Sequence, residues 1–118
     1  MSATNYLEGL LLNYIAGISG LTVALYTSSP TDDSPGVELS ADSYQRKPVT
    51  FGAASGGSIT NNVEVLFDQA TTDWGLVSFF GLFDSSGNLL VYGNLSPVTI
   101  NYGDSLRLKT GTITVSMD

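Results

Sequence analysis

Four carboxylates stand where a hydrolytic pair could be sought: Glu38, Glu64, Asp68 and Asp73. A glycosidase needs two such groups facing each other across a cleft, one as acid and one as base or nucleophile. Nothing in the spacing of these four brings two together, and a small chain has little room for a sugar groove. They read as solvated turn and strand acids. The sequence holds no histidine and no cysteine, which excludes both familiar nucleophile–base triads and any thiolate zinc site. A serine–lysine pair would have to use Lys47 or Lys109. Both sit in strand patterns, and no S-x-x-K spacing occurs. An all-oxygen calcium loop is the remaining metal option. Asp84-Ser85-Ser86-Gly87-Asn88 alternates oxygen-bearing side chains, but the position where an EF-hand acid would fall is Leu95, so the segment reads as a turn. The Asp32-Asp33 pair is no stronger. Neither a G-x-G-x-x-G stretch nor a phosphate-loop lysine motif is present. The expectation is a chain with no catalytic, cofactor or metal residues, and not an enzyme.

Charge narrows the partners. Four basic residues (Arg46, Lys47, Arg107, Lys109) face eleven acidic ones, for a net charge of -7. Nucleic acid and anionic membranes both select basic patches, and no basic run exists here, so neither is an expected partner. Charged residues make up 13% of the chain, about half the usual share of about 25%. Such a surface is covered by neutral polar and apolar groups, which suits packing against other protein because charges are depleted from interface cores. The start, MSATNYLEGLLLNYIAGISG, has no basic region ahead of its apolar part, so no secretory signal is expected. Asn13, Gly17 and Gly20 interrupt the apolar run before it could span a bilayer.

The elements follow from periodicity. The 118 residues fit one domain, 1–118. Residues 5–18 predict an amphipathic helix, with Leu7, Leu10, Leu11, Tyr14, Ile15 and Ile18 at three- and four-residue spacing. Asn5 and Glu8 suggest its capping box. Its apolar side is expected to pack over the end of a sheet; the alternative is docking on a neighbouring subunit, with Leu10 and Tyr14 as contact residues. Residues 21–27 predict a central strand, and 28–45 a long surface loop with a short extended piece at Val37–Leu39, in which Asp32 and Asp33 are further candidate contacts. Strands are then expected at 47–52, 63–68, 76–83, 89–93, 98–101, 105–110 and 113–118, with turns at 56–57, 61–62, 84–88 and 101–104. Seven or eight short strands after one helix indicate an all-β chain, a jelly-roll-like antiparallel β-sandwich with one N-terminal helix. Trp74 is expected to be buried, anchoring the connector, with Gly75 allowing close approach beside it. Arg46 is expected to tie the long loop to the sheet through a carboxylate or loop carbonyls.

The stretches VALYTSSP (23–30), VELSADSYQRKPVTFGAA (37–54), VLFDQATTDWGLVSFFGLFD (65–84), GNLLVYGNL (87–95) and NYGDSLRLKTGTITVSMD (101–118) resemble a group of small structural proteins of tailed phages, prophages and gene-transfer agents. Members are labelled head decoration, spike-base or tail fibre proteins. Asp73, Trp74 and Gly75 match the group's connector and Arg46 its basic position, while Thr72 stands where the pattern has alanine. The resemblance covers nearly the whole chain and carries no catalytic residues. It implies a virion part assembled in the host cytoplasm and used as an oligomer, a homotrimer by association with three-fold spikes and capsid positions. The expected role is a capsid decoration, cement or spike-base subunit on the outer capsid surface, touching the major capsid protein or other virion proteins. The alternatives are a tail or fibre component that contacts a host receptor, and a carbohydrate-binding module. Aromatics exposed on one sheet face would favour sugar stacking; aromatics in the core would favour a structural role.

Overall fold

The computed structural model describes residues 4–31 and 33–116. It is an all-β chain, mostly antiparallel, with one N-terminal helix. Helix α1 runs Asn5–Ala16. It stops two residues short of the expected end, because the Gly17 N–H turns back to the Asn13 and Tyr14 carbonyls and closes the last turn. The N-cap is Thr4, not Asn5: the Thr4 hydroxyl accepts from the Leu7 N–H at 3.2 Å, satisfying one donor that a helix start leaves bare.

Among the described residues nine strands follow: β1 (Thr22–Ser28), β2 (Val37–Glu38), β3 (Lys47–Pro48), β4 (Ser58–Thr60), β5 (Val65–Leu66), β6 (Gly75–Phe83), β7 (Leu89–Ile100), β8 (Arg107–Leu108) and β9 (Thr114–Ser116). The main sheet has the order β2-β1-β6-β7, with β3 also paired to β1 beside β2. β4 pairs β9, and β5 pairs β8, as two separate ribbons. Of the jelly-roll-like sandwich expected, the all-β antiparallel class and the N-terminal helix are present, with the strands arranged as one five-stranded sheet and two two-stranded ribbons. Most ribbon strands are shorter than their alternation suggested. Pro48 and Gly111 lie beside short pairings, and two-residue ladders need little pattern to form. β4 arises in a segment that reads as turns, and β7 fuses two expected strands into one of 12 residues.

The main core lies between the sheet and the ribbons. Val23, Leu25, Val77, Phe80 and Leu82 from the sheet meet Ile59, Val65, Phe67, Leu108 and Ile113, with Leu12 of α1 closing one end. Ala24, Tyr26 and Phe83 form a smaller cluster with Phe79 and Leu89 on the opposite sheet face. This is why β1 reads as apolar on both faces. Val77 shares the main core with Phe80 and Leu82, whereas strict alternation groups it with Phe79 and Phe83. The β6–β7 register shifts between Val77 and Phe79, and such an irregularity re-aims the side chains on either side of it.

Candidate functional site

Each of the four carboxylates has its own structural partner. Glu38 receives Arg46 in a fork, Nε to Oε2 at 2.9 Å and Nη2 to Oε1 at 2.7 Å. Asp68 pairs with Lys47 at 2.9 Å, and Glu64 with Arg107 at 3.2 Å. Asp73 accepts from the Tyr102 N–H at 2.8 Å. Among the described residues no group of three or more acidic side chains could hold a metal ion. Asp84 folds its carboxylate back onto the hairpin turn, accepting from the Ser86 and Asn88 N–H groups. The Asn88 backbone bond, then its side chain, hold that carboxyl below the usual range.

Arg46 reaches Glu38 on β2, inside the long loop, and its guanidinium lies 3.7 Å from the Phe83 ring centroid. Tyr44 completes the cluster: its hydroxyl donates to Glu38 Oε2 at 2.6 Å and accepts from the Leu25 N–H at 3.0 Å. Burial by itself would raise the Glu38 pKa, but the hydrogen bonds from Arg46 and Tyr44 outweigh it and hold the carboxyl below its ordinary value. Burial, reinforced by the bond to Glu38, pushes the Tyr44 phenol well above the tyrosine range. The 28–45 segment carries β2 on the extended piece expected at 37–39, and part of it is buried as well as surface. β2 interrupts it, Pro30 and Leu39 are buried, and Tyr44 stacks on Phe67 and meets Trp74 edge-on at 5.8 Å. Asp33 is exposed, and Asp32 lies outside the described residues.

Trp74 is 5% exposed, and its backbone N–H donates to the Ile100 carbonyl at 2.8 Å. With Asp73 capping the 101–104 turn, the connector is stapled to the end of β7 and the turn after it. Gly75 serves a different purpose from the one expected: a Cβ there would meet nothing within 4 Å, and the requirement is its φ of +84°. Sequence reasoning missed Asn61, which it reads as a turn former. Asn61 is fully buried (0% exposed). Its amide donates to the Val63 and Lys109 carbonyls and accepts from the Ile113 N–H, joining three segments. Only the partners' proximity in space marks it.

The helix splits the apolar side expected to pack on the sheet: Ile15 and Ile18 do so, and the rest of the set does not. Leu12 packs into the core, with Ile15, Ala16 and Ile18 against it, while Leu7, Leu10 and Leu11 face outward. Tyr6 and Tyr14 stand out furthest, 77% and 73% exposed. The helix leans on β4, and Asn13 Oδ1 accepts from the Ala54 N–H at 2.8 Å, fixing which side turns inward. Glu8, the only charged residue of α1, is 7% exposed and lines a groove of about 770 Å³ shared with Gly56, Gly57 and Ser58. The outward stripe therefore carries no charge. Among the described residues no helix is long and apolar enough to cross a membrane. Phe51, Phe67, Phe80 and Phe83 are buried, so the sheet lacks a row of exposed phenylalanines for sugar stacking.

A small β-body whose polar side chains brace its own loops, and whose largest unsatisfied feature is an apolar helix stripe, has the makings of a structural subunit. The family comparison agrees. Residues 2–116 match the family described as Podophage GP4 fiber I protein gp80, and the chain belongs to that family of phage structural proteins. Comparison with the curated proteins finds no match.

Proposed function

We propose that the chain is a structural subunit of a phage fibre or of the base that carries it, working by protein–protein contact and without catalysis. The observation that carries contact is the charge-free stripe of α1, which gathers Tyr6, Leu7, Leu10, Leu11 and Tyr14 on one exposed helix face. The fibre position draws on the family's description, which favours the tail or fibre alternative over the capsid-surface position expected first. In this reading the subunit assembles in the host cytoplasm, takes its place in the virion as an oligomer, and contacts other virion proteins. It needs no cofactor. Electron microscopy of the intact particle tests the reading. Density for this chain along or at the root of the tail-borne fibres is the expected result. Density over three-fold positions of the capsid shell would overturn it and restore the decoration role.

A further inference from the structure

Helix α1 is apolar on two sides and covered on one. The inward side, around Leu12, belongs to the core. The outward side presents Tyr6, Leu7, Leu10, Leu11 and Tyr14, all exposed. Leu7 and Tyr14 are one heptad apart, with Leu10 and Leu11 between them, which is the spacing by which one helix seats on another. Five large side chains at these exposures present on the order of 500 Å². That is near the top of the range of about 300–600 Å² for the largest apolar patch on a monomer, and such patches are often functional. Two of them face to face would bury about 1,000 Å², the lower bound for a specific interface.

We infer that the outward stripe of α1 is the surface on which a second copy of this chain docks, helix against helix. The inference rests on the reading of the chain as a repeated virion part, and names the surface through which the copies meet. Charge selects a copy over a foreign partner. Each chain carries a net charge of -7, so copies repel one another and do so least when they meet through a face without acids. The stripe is such a place: α1 holds a single charge, Glu8, and it is turned away and buried. A foreign partner for so acidic a chain would be recognised by opposite charge, and the helix offers no acid at the stripe to recognise it. The ends of the stripe are tyrosines, whose hydroxyls stay wet while their rings are covered.

The absence of native cysteine makes the test clean. Leu10→Cys, oxidised in the otherwise wild-type chain, is expected to give a disulfide-linked dimer on a non-reducing gel. Leu66→Cys, equally exposed but on β5, is expected to stay monomeric on the same gel. Leu10→Glu with Leu11→Glu should move the sedimenting species to the monomer while the far-UV circular dichroism and melting temperature stay at wild-type values, since neither side chain is in the core. A wild-type chain that sediments as a monomer at high micromolar concentration would overturn the inference. So would equal cross-linking at positions 10 and 66, or unchanged sedimentation of the double variant. Because these measurements use the purified chain, a chain found on the fibre but monomeric in solution would fail the inference and leave the fibre reading standing.

Discussion

At the residue scale, charge and amide chemistry brace the loops against the sheet. Glu38 has a folded pKa below its ordinary value, so its contribution is present above the unfolded carboxylate pKa and is lost as pH falls through the folded one. The denaturation midpoint should therefore decline as the pH drops below about 4.3. Glu38→Gln should flatten that part of the acid limb, narrowing its gap from wild type at low pH; parallel acid limbs would count against the coupling. Arg46→Ala should cost about 1 kcal/mol, the worth of a charge-assisted bond discounted for partial exposure. Limited proteolysis within 29–45 should rise with it. Asn61 is the costlier position. Asn61→Ala leaves the buried Ile113 N–H without its acceptor and removes the bonds to the Val63 and Lys109 carbonyls, and should lower stability by about 2 kcal/mol or more. A urea titration would read this as a lower midpoint at unchanged slope.

At the element scale, the helix and the long loop depart most from their patterns. Leu10, Leu11 and Leu12 are consecutive, so no spacing rule says which of them turns inward. Asn13 bonding to Ala54 does. The loop is held by a feature that resembles ordinary turn chemistry in the sequence. Gly36 has a φ of +67°, and a Cβ there would lie 2.5 Å from the Pro30 nitrogen and 2.7 Å from the Ser28 carbonyl. Gly36→Ala should therefore cost more than the about 1–2 kcal/mol of the left-handed conformation alone, because backbone must move. Gly75→Ala, at a similar φ with open space around it, should cost only the conformational part. Thermal melts of the two variants side by side test the ordering, and equal losses would argue against the close packing of Pro30 over Gly36.

At the scale of the whole molecule, the single tryptophan sits where the long loop, β5 and the end of β7 converge. Trp74 packs edge-on to Tyr44, which stacks on Phe67. Its emission should be blue-shifted from free indole in the folded chain. It should move red in one transition that coincides with the loss of far-UV circular dichroism, as cooperative unfolding of one core requires. Emission typical of indole in water before any denaturant is added would contradict the burial.

Periodicity and composition alone determined the helix at the start, the strands expected at 21–27 and 76–83 and found within a residue of those bounds, the hairpin turn at 84–88 and the all-β class. These are local properties: alternation, turn residues and caps act within a few positions of one another. The lack of histidine and cysteine likewise bounded the chemistry with no reference to shape. What only the tertiary structure decided are the facts that depend on two distant segments meeting. The ribbons β4–β9 and β5–β8 pair residues about forty or more positions apart; alternation marks the strands at 63–68, 105–110 and 113–118 but not which partner each takes, and β4 lies in a segment that reads as turns. Asn61 became a buried hub because Lys109 and Ile113 arrive beside it. The outward stripe of α1 exists because a helix apolar on both sides can present only one of them to a single small body.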